Sequence, residues 1–163
     1  VAAGAQALQL FDSWAGALGP ELFREFGLPY LAQVAEIART PGVPFIMFAP
    51  GAGWAFDEIA EATRADVVGV DWHMDAAVAR AAADRCEVAV QGNLDPCALY
   101  GSPASIRART EEMLRTFSGR GHIANLGHGI LPDVPVEHAR AFIDTVRNWS
   151  YDRAAATAGQ TGE

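Results

Sequence analysis

Lysine is absent from this chain of 163 residues, and all twelve of its basic side chains are arginines. The chain therefore cannot itself supply a Schiff-base lysine, a pyridoxal phosphate lysine or the lysine of a phosphate-binding P-loop. Basic charge is scarce as well, because 20 acidic residues leave a formal net charge of -8 at pH 7. This acidity argues against a nucleic acid or an anionic membrane as a partner.

Cysteine and long apolar runs are also scarce. The two cysteines, Cys86 and Cys97, form neither a disulfide framework nor a CxxC pair, which favours a reducing compartment and buried thiols. No apolar run reaches the roughly 20 residues that span a bilayer, and the first residues carry no basic segment of a signal peptide. The first residue, Val1, is not an initiator Met and lies close to an apolar run. We therefore expect the chain to begin inside a longer one.

Apolar material is plentiful, with 50% hydrophobic and 20% charged residues, which suffices for one core of ordinary domain size. We expect one folded unit over residues 1–150. Residues 151–163 are polar and small and show no apolar period, so we expect a disordered tail there.

Short apolar runs alternate with amphipathic stretches along the chain. This alternation is typical of βα units around a parallel sheet, either in a (β/α)₈ barrel or in a doubly wound sheet. The predicted strands cover residues 6–11, 44–49, 67–71, 88–91 and 122–125. The predicted helices cover residues 20–39 with a break at Gly27 and Pro29, then 56–64, 75–83, 102–117 and 135–149, and Asp75 and Ser102-Pro103 give helix start signals.

Polar side chains gather where the predicted strands end. In parallel α/β folds the functional residues lie at the carboxyl ends of the strands, so these positions are the candidates for a site. They are Asp12 and Ser13, Asp71 and His73, Asn93 and Asp95, and Asn125 and His128.

His128 is the strongest binding candidate among them. Its neighbours Gly127 and Gly129 should let the backbone turn sharply and expose the imidazole at a strand end. His73 follows a Trp in a predicted loop and is more typical of a surface residue. Ser13 lacks the G-x-S-x-G elbow of a nucleophile, so a hydrogen-bonding role is favoured. Asp95 precedes Pro96, which favours a helix cap.

The remaining loop residues have structural interpretations. Asn93 and Asn125 are expected to bond to loop backbone. Gly51 and Gly53 belong to no G-x-G-x-x-G or P-loop motif, and we expect them to allow close approach to whatever fills the site. Every arginine lies on a predicted helix, at its end, or at the amino-terminal side of a strand. No cation is therefore predicted on the active face.

Four short segments resemble the signature segments of uroporphyrinogen decarboxylases. They occur in the order and at spacings compatible with that family, from about Gly4 to Trp149. The segments are residues 10–16 (LFDSWAG), 69–72 (GVDW), 91–96 (QGNLDP) and 125–129 (NLGHG) followed by Leu131-Pro132.

The resemblance implies an α/β fold, a partial (β/α)₈ TIM barrel made of about its last five βα units, with three strands expected upstream. It implies decarboxylation of the four acetate side chains of uroporphyrinogen III to give coproporphyrinogen III, with no metal or organic cofactor. Ser13 and His128 match substrate-binding positions of the family, and Phe11 matches an aromatic in its cleft. The catalytic aspartate and the cleft arginines of the family have no match here, so we expect the isolated chain to be inactive.

The resemblance also implies a homodimer as the full-length enzyme and a cytoplasmic location, with a plastid possible where a transit peptide precedes the chain. Three other functions remain open. A corrinoid-dependent methyltransferase of the same superfamily would need an H-x-C zinc motif, which this chain lacks. A metal-dependent lyase could use Asp12, Asp71 and Asp95 as ligands. An inactive interaction module is the third.

Overall fold

The computed structural model describes residues 1–118 and 121–150, so the tail expected over 151–163 lies outside the described residues. Within these residues, five strands form one parallel sheet in which the spatial order follows the chain order. They are β1 (Leu8–Phe11), β2 (Phe45–Phe48), β3 (Val67–Gly69), β4 (Ala89–Leu94) and β5 (His122–Leu126). All five predicted strands are confirmed, with ends that differ by a few residues.

Six α-helices follow or separate the strands in the described part of the chain. They are α1 (Pro20–Phe26), α2 (Leu28–Ala38), α3 (Phe56–Thr63), α4 (Ala76–Cys86), α5 (Pro103–Thr116) and α6 (Val136–Arg147). The predicted break at Gly27 and Pro29 is confirmed, because Gly27 separates α1 from α2 and Pro29 in the first turn of α2 has no backbone N–H to bond to the preceding turn. Gly27 also packs closely, since a β-carbon there would lie 2.8 Å from the Phe23 ring. Three short 3-10 turns, Ala15–Ala17, Gly53–Ala55 and Pro96–Tyr100, were not predicted.

Helix starts follow the sequence signals. The Asp75 carboxylate accepts hydrogen bonds from the backbone of Ala77 and Val78, and the Ser102 hydroxyl accepts one from Ser105. The Asp95 carboxylate accepts from the Cys97 backbone at 2.8 Å, which confirms its predicted capping role.

A consecutive strand order distinguishes the two candidate folds. Right-handed crossovers between neighbouring parallel strands place every connecting helix on the same face of the sheet, as in a barrel. A doubly wound sheet instead reverses its strand order at a switch point. The order β1 to β5 contains no reversal among the described strands. The fold is therefore an α/β sheet of consecutive βα units, consistent with part of a (β/α)₈ barrel.

The two faces of the sheet differ in burial. Met47, Val68 and Val90 are neighbours in register and lie within the core formed with the helices, each at most 3% exposed. The opposite face is open, with Phe11 at 59% and Ile123 at 43% exposure. No helix in the described parts of the chain is long and apolar enough to cross a membrane.

The expected burial of both thiols is only partly correct. Cys86 and Cys97 are both free, but Cys97 is exposed. The 3-10 turn after Asp95 buries Pro96 and Leu99, three residues apart on one side, and this directs Cys97 outward.

Candidate functional site

The open face of the sheet forms a cavity of about 380 Å³ at the carboxyl ends of the strands. Both edge strands contribute to it, β1 through Phe11 and β5 through Asn125, and His128 follows β5 along its rim. The complete lining is Gln9, Phe11, Phe48, Val70, Gln91, Asn125, Leu126, His128, Gly129 and Ile130. It combines an apolar wall with a few amides and one imidazole, which is typical of a site for an organic ligand.

One row of side chains crosses the floor of this cavity. Phe11, Phe48, Gly69 and Gln91 are neighbours in register on β1 to β4, so their side chains share a face. The rings of Phe11 and Phe48 meet edge to face at 5.9 Å. Gly69 leaves room for Phe48, because a β-carbon on Gly69 would lie 2.7 Å from the Phe48 ring. The glycine therefore allows an aromatic floor.

His128 is exposed at the rim and contacts the indole of Trp72, with ring centroids 5.9 Å apart and perpendicular planes. The backbone bends at Gly127 and His128 as expected, although neither Gly127 nor Gly129 has a positive φ. Gly127 is also needed for close packing, since a β-carbon on it would lie 2.5 Å from the backbone nitrogen of Trp72. The sequence could not reveal this contact, because its partner lies on another loop.

Ser13 lies in the exposed turn that follows β1, two residues beyond Phe11. Among the described residues it does not belong to the lining of the cavity that Phe11 and His128 share. The neighbouring Asp12 accepts a hydrogen bond from the Trp14 backbone at 3.3 Å, which closes the turn. The structure thus brings two of the three candidate substrate residues into one cavity and holds the third in the adjoining loop.

The other strand-end residues mainly organise the loops. The Asn93 amide donates to the carbonyls of Asp71 and Met74, as its expected backbone role requires. His73 is a surface residue as predicted, with 69% of its side chain exposed. Asp71 is buried and accepts hydrogen bonds from the backbone of Gly51 and His73. Its central position was missed by sequence reasoning, although it lies in one of the signature segments.

The glycines after β2 make close contacts with neighbouring loops. A β-carbon on Gly51 would lie 2.6 Å from the Cα of Gly16, and one on Gly53 would lie 3.2 Å from the Met74 sulfur. Gly51 also has a φ of +79°, a conformation that disfavours other residues. These contacts between loops were not predicted from the sequence. The expectation that the glycines allow close approach of a ligand stays a prediction, and both of them line a second cavity.

A second, larger cavity of about 600 Å³ lies on the helix side of the sheet, beside α3 and α4. Its lining includes the carboxylates of Asp57, Glu58 and Asp75, and its one arginine, Arg85, is already paired with Asp57 at 2.9 Å. Glu58 is likewise paired with Arg24 at 2.7 Å, so the lining offers no free arginine to an anionic ligand. The cavity on the open face is therefore the better candidate for a carboxylate-bearing substrate.

No arginine lines the open-face cavity among the residues that the structure describes. This agrees with the expectation for the arginines that can be placed, while Arg120 and Arg153 lie outside the described residues. Nor do the described parts contain a group of three or more His, Cys, Asp or Glu side chains arranged to hold a metal ion. Asp12, Asp71 and Asp95 each bond to the backbone of separate loops.

Comparison with known proteins identifies relatives along almost the whole chain. The family model for uroporphyrinogen decarboxylase (URO-D) matches residues 1–149. The uroporphyrinogen decarboxylase of Salinibacter ruber is 50% identical over 153 residues, and that of Homo sapiens is 46% identical over 157 residues. Each alignment covers 92% of this chain but 42% of the relative. The chain thus spans less than half the length of these curated relatives.

A solved structure of a methyltransferase from Methanosarcina mazei has a similar fold. The two superpose with a TM-score of 0.73 at 20% sequence identity, over 88% of this chain and 42% of the other. A likeness at this identity shows the fold alone, since one fold hosts many activities.

Proposed function

The chain belongs to the uroporphyrinogen decarboxylase family, and on that premise we propose that it forms the carboxyl-terminal part of an enzyme that converts uroporphyrinogen III to coproporphyrinogen III. The cavity on the open face would be its contribution to the substrate cleft. The observation that carries this proposal is that Phe11 and His128, from signature segments at opposite ends of the chain, line one cavity at the strand ends.

The proposed reaction replaces each acetate side chain of the tetrapyrrole by a methyl group. Protonation of a pyrrole carbon makes the ring a cationic electron sink, so the carbon–carbon bond to the carboxylate can break and release CO₂. The resulting enamine takes a proton at the former methylene carbon, and the ring loses the first proton. Each cycle therefore consumes one proton and yields one CO₂. The protein has to place the acid and stabilise the cation in a water-poor cleft.

In this proposal the residues of this chain bind substrate and do not transfer the proton. The Ser13 hydroxyl and a ring N–H of His128 would each donate to a substrate carboxylate, and Phe11 would contact the tetrapyrrole edge. Since arginines are absent from the described cavity lining, the cations and the catalytic acid would come from the remaining part of the enzyme. We further propose that the full-length enzyme is a homodimer and that it lies in the cytoplasm or in a plastid. Analytical ultracentrifugation of the full-length protein tests the dimer.

The decisive experiment measures coproporphyrinogen formation from uroporphyrinogen by the full-length protein, without added metal. Ser13→Ala and His128→Ala are expected to raise KM by about 10- to 100-fold, since a hydrogen bond to a charged group contributes roughly 1.5–3 kcal/mol. His138→Ala is the matched control, because this histidine lies on α6 and bonds to the Leu99 carbonyl at 2.7 Å, away from the cavity. Its KM should stay unchanged.

Two results would contradict the proposal. If the full-length protein releases no CO₂ from uroporphyrinogen, the assigned reaction is wrong. If His128→Ala and His138→Ala have the same KM as the parent, the reaction stands and the cavity is not where this chain meets substrate.

A further inference from the structure

Asp71 has no part in the proposed chemistry, yet its carboxylate is only 4% exposed and fully engaged. Its Oδ2 accepts a hydrogen bond from the Gly51 backbone at 2.5 Å. Its Oδ1 accepts one from the His73 backbone at 2.8 Å and lies 3.3 Å from the His73 Nδ1. A buried carboxylate is costly unless such donors satisfy it. One side chain therefore joins the loop after β2 to the loop after β3.

The Oδ2 contact leads to the turn that carries Ser13. Gly51, held by Asp71, packs against Gly16, where a β-carbon would lie 2.7 Å from the Gly51 Cα. The Gly16 backbone also donates to the Pro50 carbonyl at 3.0 Å. Both contacts join backbone to backbone, so the turn from Ser13 to Gly16 cannot move independently of Gly51.

The Oδ1 contact leads to His128. Its bond to the His73 backbone closes a turn around Trp72. The backbone nitrogen of Trp72 packs against Gly127, and the centroids of the Trp72 and His128 rings lie 5.9 Å apart. The direction of the imidazole therefore depends on where this turn holds Trp72.

We propose that Asp71 is a positioning residue for substrate binding, whose two carboxylate oxygens set the loops that present Ser13 and His128. This inference rests on the proposed function, because it takes those two residues as the substrate contacts. A capping aspartate such as Asp95 bonds within its own loop. Asp71 makes a bond of this kind to His73 through Oδ1, but its Oδ2 also bonds to Gly51 in the loop after β2. The side chain therefore affects both sides of the cleft.

The test uses Asp71→Asn in the full-length protein. Asparagine keeps one acceptor oxygen and turns the other into a donor, so one of the two loop contacts must break. We expect KM for uroporphyrinogen to rise about tenfold while kcat changes by less than about threefold, as for loss of one backbone contact in ground-state binding. Asp71→Asn is then combined with Ser13→Ala and, separately, with His128→Ala. In at least one of these double variants, KM should rise by less than the product of the two single-variant increases, because the residues act together.

Asp66→Asn is the matched control for a merely structural tether. Asp66 precedes β3, and its Oδ2 accepts from the Phe45 backbone at 2.7 Å at the opposite end of the same two strands. Its loss should lower the melting temperature and leave KM unchanged. If Asp71→Asn behaves like Asp66→Asn, or if its effects multiply fully with those of both partners, the positioning role is overturned.

Gly16→Ala gives an independent test if Asp71→Asn does not fold. The added methyl group pushes against the Gly51 backbone without touching the carboxylate, and KM should again rise. An unchanged KM would overturn the link between Asp71 and the Ser13 turn. Failure of the proposed function is a separate outcome, since it appears as inactivity of the parent protein before any variant is compared.

Discussion

Gly127 packs against the backbone of Trp72 so closely that a β-carbon on Gly127 would lie 2.5 Å from the Trp72 nitrogen and 3.0 Å from the Asp71 carbonyl carbon. Both neighbours are main-chain atoms, which cannot move aside as the end of a side chain can. The segment that carries His128 is thereby fixed against the loop after β3.

Gly127→Ala should therefore destabilise the protein and disturb the cleft together. We expect a loss of about 1–3 kcal/mol in the free energy of unfolding, typical of overpacking a tight contact, and a higher KM for the proposed substrate, uroporphyrinogen. Urea denaturation and steady-state kinetics of the full-length protein measure the two effects.

Gly129→Ala is the control for stability, since it lies on the other side of His128 and its β-carbon would meet no described atom within 4 Å. Because Gly129 lines the open-face cavity, only the stability of this variant serves for comparison. Neither glycine has a positive φ, so backbone strain does not separate the two variants. Equal stability of both variants would show that the loop adapts freely and that the contact with Trp72 is unimportant.

The strands and helices could be predicted from sequence because their signals are local. Apolar runs marked the strands, and Asp75, Asp95 and Ser102 marked starts of helices or turns that the structure confirms. The strand-end rule also brought Phe11 and His128 to one edge, where they do share a cavity.

Contacts between loops could not be predicted in the same way. Gly51 contacts Gly16, which lies 35 positions earlier in the chain, and a local sequence pattern does not predict such a contact. The two oxygens of Asp71 likewise bond to different loops, so a single-sequence interpretation left its role open. The exposure of Cys97 depends on a 3-10 turn, whose short period was not apparent in the apolar pattern.

Removal of the Asp75 cap should lower stability without affecting substrate binding. Its Oδ1 accepts from the backbone of Ala77 at 2.8 Å and Val78 at 3.1 Å. Asp75→Ala leaves both donors without this acceptor and should cost about 1 kcal/mol in the free energy of unfolding. Asp75→Ser should retain most of the stability, because a serine hydroxyl can accept the same bonds. Thermal unfolding curves of the two variants test this. If only the loss of a surface charge mattered, Asp75→Ala and Asp75→Ser would lower the melting temperature equally.

The two thiols should differ in reactivity. Burial raises the pKa of the Cys86 thiol, and the nearby Asp57 carboxylate, 3.6 Å from its sulfur, raises that pKa further. Because the thiolate is the nucleophile, Cys86 should react slowly with a maleimide near pH 7, whereas the exposed Cys97 should react first. Peptide mass spectrometry against labelling time measures both rates. Cys97→Ser should remove the fast modification and Cys86→Ser should retain it, and equal rates at the two sites would contradict the difference in burial.

His122 occupies an environment that disfavours its charged form. Its Nε2 lies 2.7 Å from the Gly92 carbonyl, which can only accept, so this nitrogen carries the proton of the neutral ring. The ring stacks on Phe117 at 4.5 Å, and its buried Nδ1 has no hydrogen-bond partner among the described residues. Burial lowers the pKa of His122 below its usual 6.5, and the charge of Arg80 lowers it further, while the Gly92 bond opposes both.

Stability should therefore decrease as the medium becomes mildly acidic. In the unfolded chain His122 takes up a proton near pH 6.5, whereas the folded protein resists protonation until a lower pH, so the unfolded state binds more protons in between. The contribution of the neutral ring is fully present above about pH 6.5 and is lost as the pH falls toward the lowered pKa. His122→Phe keeps an aromatic ring against Phe117 and removes the titration, so its melting temperature should fall less between pH 7 and 5. An identical decline in the parent and in His122→Phe would assign the acid sensitivity to other groups.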